Sequence, residues 1–134
     1  MIVVIAERPT ATEPGFIGSD AHARLERIVE ASIPLGFYLV ASPEGGWPGG
    51  AAQAQADALL STLRAARNGA PLGIVALGGN VGNALGLHTP GVVTWWKGVR
   101  LAWLPGLSRR DWWAVEAHRE KVWSLWRSLE AVGP

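Results

Sequence analysis

The 134-residue chain contains no cysteine. This absence excludes disulfide bonds, zinc sites built on thiolates and iron–sulfur clusters held by cysteine. Long hydrophobic runs are missing too, since no segment reaches the roughly 18–20 uninterrupted apolar residues of a membrane-spanning helix. The first residues lack the basic stretch and the cleavage site of a secretory signal, so we expect a cytoplasmic protein with no membrane partner. Because cysteine is absent, any catalytic chemistry must rest on carboxylates, the three histidines, hydroxyl groups or the backbone.

A strong net charge is also absent, because 12 basic and 11 acidic residues leave a formal charge of +1. The charges are unevenly distributed: residues 97–127 hold seven Lys or Arg against three Asp or Glu, whereas the remainder holds five against eight. A basic segment is compatible with an anionic ligand, although most charge clusters are only solvated surfaces. The length predicts one domain over residues 1–134, and we expect a monomer.

Apolar runs alternate with helical patterns along the chain. Strands are predicted at 1–6, 36–41, 71–77, 92–96 and 99–104. Helices are predicted from Ser19 or Asp20 to about residue 31, over 51–68, briefly after Gly78-Gly79, and over a long last segment that Asp111 caps. This alternation predicts an α/β protein, namely a three-layer α/β/α sandwich with a mainly parallel sheet of four or five strands.

The predicted fold points to one edge of the sheet as the functional site. In open parallel sheets, ligands bind outside the carboxyl ends of the strands. Those ends are at Glu7, Ala41-Ser42, Gly78-Gly79 and Leu104-Pro105. Glu7 has two interpretations: a carboxylate paired with Arg8 or Arg110, or a group that orients a water or accepts a proton.

Other notable features have mainly structural interpretations. The stretch "LGGNVGNALG" fits neither the dinucleotide nor the P-loop spacing, so its glycines are predicted to allow tight packing of a strand against a helix. His22 and His118 lie on predicted helices without a metal-ligand partner, whereas the loop residue His88 is a possible functional group. Five of the eight tryptophans fall within residues 95–113, and such rings fill cores more often than they stack on bases.

Three segments resemble motifs of the uracil-DNA glycosylase superfamily. "IAERPTATEPGFIGSDAHARLERIV" is similar to a first motif in which a strand ends in a "GEAPG"-like turn and an aromatic-bearing "PFxGxAGxxL" loop leads into a helix, with one residue inserted here. "GIVALGGNVGNALG" resembles that superfamily's "vvaLGkxAxxxLlG" segment, and "LAWLPGLSRRDWW" its final "HPSGLNRWW"-type motif. The order and spacing of the motifs cover nearly the whole chain.

The resemblance implies base excision from damaged DNA without a cofactor or a metal. Glu7 would match the carboxylate that orients the attacking water, and Phe16 the ring that stacks on the flipped base, with Ala41 and Ser42 beside it. Stacking on an aromatic face helps to offset the cost of extruding the base from the duplex, which is about a few kcal/mol. In the last motif, Leu107 would be the wedge that fills the gap in the duplex, and the DNA-binding residues would be Ser108, Arg109 and Arg110.

Two positions depart from the family pattern. The asparagine that reads uracil would fall near Ala41, and the histidine that stabilises the departing base would fall at Leu104. Losing one such donor costs on the order of 10²–10³ in rate. Either Ser42, Ser108 or backbone amides around 105–109 compensate, or the chain is a DNA- or protein-binding module without the chemistry. A small enzyme that processes free nucleotides or nucleosides is a third possibility.

Overall fold

The structure is a computed structural model, and it describes residues 2–8, 20–32, 35–40, 51–66, 73–107 and 109–130. The strands within these ranges are β1 (Ile2–Arg8), β2 (Leu35–Val40), β3 (Gly73–Leu77), β4 (Val93–Trp96) and β5 (Val99–Leu104). The helices are α1 (Asp20–Val29), α2 (Ala51–Ala66), α3 (Gly79–Ala84), α4 (Arg110–Trp113) and α5 (Glu116–Glu130). The predicted α/β class is therefore confirmed.

The five strands form one open sheet in the order β2-β1-β3-β5-β4. β1, β2, β3 and β5 are parallel, and β4 joins the edge antiparallel to β5 through a tight hairpin. The prediction of a mainly parallel sheet is confirmed. The turn of this hairpin has its backbone in the left-handed region, with φ of 49° at Lys97 and 78° at Gly98.

The strand side chains alternate between two apolar clusters, as the period of two in a strand requires. Val4, Val75 and Ala102 belong to one cluster, which also holds buried residues of α1, α4 and α5. Val3, Ile74 and Leu101 belong to the other, together with buried residues of α2 and α3. Side chains of β1, β3 and β5 are thus buried in both clusters, which explains why these strands are continuous apolar runs without polar alternation.

The prediction of one long last helix beginning at Asp111 is wrong. A four-residue helix, α4, ends at Trp113, and α5 begins at Glu116. The aromatic side chains at this corner have partners that a straight helix would not reach: the Trp113 indole N–H donates to the Gly106 carbonyl (2.9 Å), and the Trp112 ring stacks on His118 with centroids 4.3 Å apart. Val115, which lies between the two helices, is exposed.

Candidate functional site

The carboxyl ends of β1, β3 and β5 meet at one edge of the sheet. Ala6 lies opposite Leu77, which lies opposite Leu104, so the next row along the sheet begins with Glu7 on β1 and Gly78 after β3. In the sheet, β2 lies on one side of β1 and β3 lies on its other side, so the direction in which strands are added reverses after β2. Such a reversal of strand order opens a crevice at the carboxyl edge, and this is where ligands of doubly wound sheets bind.

The segments that follow β3 and β5 contact each other at this edge. The Gly78 amide donates a hydrogen bond of 2.8 Å to the Leu104 carbonyl. Gly78 has a φ of 102°, which side-chain-bearing residues rarely adopt, and a Cβ built there would lie 3.9 Å from the Gly106 Cα. A glycine at this position therefore satisfies the backbone geometry of the turn and fits beside the neighbouring loop.

The loop over residues 105–109 is held by hydrogen bonds to its carbonyl groups. Gly106 accepts from the Trp113 indole N–H (2.9 Å) and from the Arg109 amide (3.0 Å), and Leu107 accepts from the Arg24 guanidinium (2.7 Å). The Arg24 contact joins residues 83 positions apart, and no local pattern in the sequence indicates it. Arg24 is thus a positioning residue for the loop that its place on a predicted helix does not reveal.

Two leucines assigned to the site from the resemblance are core residues. Leu104 is 2% exposed and Leu107 is 8% exposed, and both belong to the cluster shared with α1, α4 and α5. At the position of the expected histidine, Leu104 thus contributes only apolar surface. A wedge must reach the DNA, so Leu107 would have to leave the cluster to act as one.

Arg109 and Arg110 are exposed beside this loop. The Arg109 Nε lies 3.4 Å from the Asp111 Oδ1, so one of the two arginines has an acidic partner. This hydrogen bond, followed by that of the Trp112 amide, holds the pKa of the Asp111 carboxyl below its ordinary value of 3.8. Arg110 lines a groove between α1 and the α4–α5 corner.

This groove has a volume of about 1130 Å³ and is lined by several arginines. Four arginines line it, together with three glutamates, so the formal charge of its lining is only +1. Its apolar side chains include Trp113 and the 40%-exposed Trp123, whose ring carries the Arg127 guanidinium 4.9 Å from its centroid. The four arginines are Arg24, Arg27, Arg110 and Arg119. The glutamates thus leave the lining of the groove close to neutral.

The remaining predicted site residues are placed as follows. Glu7 is described by its backbone position in β1 alone, and Phe16, Ala41, Ser42 and Ser108 lie outside the described residues. His88 is exposed in the segment between α3 and β4, away from the residues of the loop, and lines a small cavity. The two histidines assigned structural roles have local contacts: His22 is paired with Glu26 one turn along α1, and the His118 Nδ1 lies 2.9 Å from the Trp112 carbonyl oxygen at the α4–α5 corner.

Neither a metal centre nor a membrane span is found in the part of the chain that the structure describes. No three His, Cys, Asp or Glu side chains in those ranges are grouped so that they could hold an ion. None of the helices described there has both the length and the apolar character to cross a bilayer. The residues brought together at the sheet edge offer a carboxylate-bearing strand end, backbone amides and arginines.

Comparison with known proteins adds no relative: no family model, curated protein or solved structure matches this chain.

Proposed function

We propose that this protein is a uracil-DNA glycosylase-like enzyme on a three-layer α/β/α sandwich, which hydrolyses the N-glycosidic bond of uracil or another damaged base extruded from DNA. One observation carries the proposal: the strand ends of the three segments that resemble glycosylase motifs adjoin at a single sheet edge. Glu7 is the last residue but one of the first strand, Gly78 follows the second, and the loop containing Gly106 follows the third. Residues of all three segments could therefore contact one ligand at this edge.

In the proposed reaction, Glu7 orients a water and accepts a proton from it. The water oxygen bonds to the sugar C1′, the C–N bond breaks, and the base leaves with the electron pair. Positive charge develops on the sugar in the transition state, so a carboxylate beside it lowers the barrier electrostatically. The base anion needs a hydrogen-bond donor, and the side chain of Leu104 offers none. We assign that role to the backbone amides of Gly106 and Leu107, because Pro105 has no N–H and the Arg109 amide donates within the loop.

The test is incubation of the full chain with oligonucleotides that each carry one damaged base, followed by alkaline cleavage at abasic sites. We expect alkali-labile product with uracil or with another deaminated base. Glu7→Gln should slow its formation by roughly 10²–10⁴-fold, the usual contribution of a positioned acid or base.

Glu120→Gln is the matched control, since it makes the same chemical change on α5, where Glu120 lines the groove. Removing that negative charge can only favour DNA, so its rate should be unchanged or higher. The enzymatic proposal fails if no damaged base yields product. It also fails if the two glutamine variants behave alike.

A second candidate function is DNA binding without chemistry, and the burial of an apolar Leu104 where the motif has a histidine favours it. It predicts salt-sensitive DNA affinity with no turnover. Arg109→Ala combined with Arg110→Ala should weaken binding and lower the slope of log K against log salt by about 1 for each phosphate that the variant no longer binds. Arg27→Ala with Arg119→Ala removes the same charge from the groove, and we expect a smaller effect. Equal reductions in affinity from both pairs would show that the loop does not make the specific contact.

A further inference from the structure

A second cavity lies under the β4–β5 hairpin and is partly open to solvent. It measures about 180 Å³ and is bordered by the segment that connects α3 to β4. Its walls include the side chains of Trp96 and Trp103. None of the residues at the carboxyl end of β1 or in the 105–109 loop lines it.

The volume suits one small ring. An engineered cavity of about 150 Å³ in another protein binds benzene, so a space of about 180 Å³ has room for a single six-membered ring. Aromatic walls favour a planar guest, because offset stacking adds to the burial of apolar area. Size and wall chemistry together therefore indicate a flat monocyclic molecule.

The polar groups around the cavity indicate that the guest is not a hydrocarbon. Both indole N–H groups already have acceptors: that of Trp96 donates to the Leu85 carbonyl (2.9 Å), and that of Trp103 to the Gly78 carbonyl (2.8 Å). The remaining polar side chains are those of His88, Thr89 and Thr94. Among the described residues, these three side chains make no hydrogen bond. An imidazole and two hydroxyls, each able to donate or accept, are thus free to bind a ligand.

We propose that this cavity binds a single planar six-membered heteroaromatic ring with hydrogen-bonding groups on its edges. The indole faces of Trp96 and Trp103 take up the ring, and His88 and Thr94 bind its polar edges. The inference is independent of base excision, since it uses no residue of the proposed glycosylase site.

The experiment follows the indole N–H signals of the ¹⁵N-labelled full chain by NMR, with uracil as the heteroaromatic probe and benzene as the apolar one. We expect uracil to shift the signals of Trp96 and Trp103 and to leave that of Trp126, on the other side of the sheet, unchanged. Benzene should bind more weakly. Uracil that shifts neither of the two signals, or benzene that binds as well as uracil, overturns the proposal.

Two variants test the polar contacts. Thr94→Val keeps the shape of the side chain and removes the hydroxyl, and we expect it to weaken uracil binding about five- to tenfold, as does His88→Ala. Thr62→Val is the matched control, because that hydroxyl bonds to the Ala58 carbonyl on the exposed surface of α2. Uracil affinity that is the same in Thr94→Val, His88→Ala and Thr62→Val would place the bound ring elsewhere and refute the assignment, whatever the outcome of the DNA assay.

Discussion

The indole of Trp103 lies against the backbone of Gly82, so closely that a Cβ built on Gly82 would be 2.0 Å from the Trp103 Cε2. The same indole donates its N–H to the Gly78 carbonyl, which also accepts the Gly82 amide. One side chain of β5 thereby fixes how close α3 approaches the sheet and how the turn after β3 is shaped. The glycine-rich stretch serves close packing at this position, as predicted.

Gly82→Ala should destabilise the protein. The new methyl group would overlap a ring that is itself held by a hydrogen bond, and overpacking of this kind costs about 1–3 kcal/mol. The midpoint of urea unfolding would measure the destabilisation. Gly79→Ala is the control, since a Cβ there meets no atom within 4 Å and alanine favours helix over glycine. Equal midpoints for the two variants would contradict the close packing of Trp103 on Gly82.

The variant Leu107→Ala distinguishes between two roles for Leu107, that of a core residue and that of a wedge inserted into DNA. As a buried member of the cluster shared with α1 and α5, Leu107 should contribute about 2–5 kcal/mol to the free energy of unfolding. Val115→Ala, at an exposed position, should change stability by less than about 0.5 kcal/mol. Chemical denaturation of both variants measures the difference. A Leu107→Ala protein as stable as the parent but impaired on DNA would favour the wedge instead.

Much of the fold is predictable because its signals are local. Apolar runs of five to seven residues predicted all five strands, and the bounds of β5 were predicted residue for residue. The shared sheet edge then follows from parallel pairing alone. Features that depend on distant partners were not predictable: the helix break before Glu116 follows from ring contacts of Trp112 and Trp113, and the bond from Arg24 to Leu107 spans 83 positions.

The Asp111 carboxyl should titrate below its ordinary pKa value of 3.8, because the hydrogen bond from Arg109 stabilises its charged form. A carboxyl whose pKa is lower in the folded state stabilises the fold at pH above the unfolded value, and that contribution disappears as the pH falls through the folded pKa. NMR titration of the side-chain carboxyl would measure it. Arg109→Gln should raise the pKa of Asp111, whereas Arg119→Gln should leave it unchanged; identical titration curves would show that Arg109 is not the cause.

Arg24→Met tests whether α1 supports the loop at the sheet edge. The methionine keeps much of the apolar stem but leaves the Leu107 carbonyl without its charged donor, and hydrogen bonds to charged groups contribute about 1.5–3 kcal/mol. We expect a comparable decrease in stability and faster amide hydrogen exchange in residues 106–109. Arg27→Met, one turn further along α1 and exposed, should change neither. Unaltered exchange in the loop of the Arg24 variant would mean that the Trp113 contact to Gly106 suffices to hold it, and that the site is positioned by the α4 corner alone.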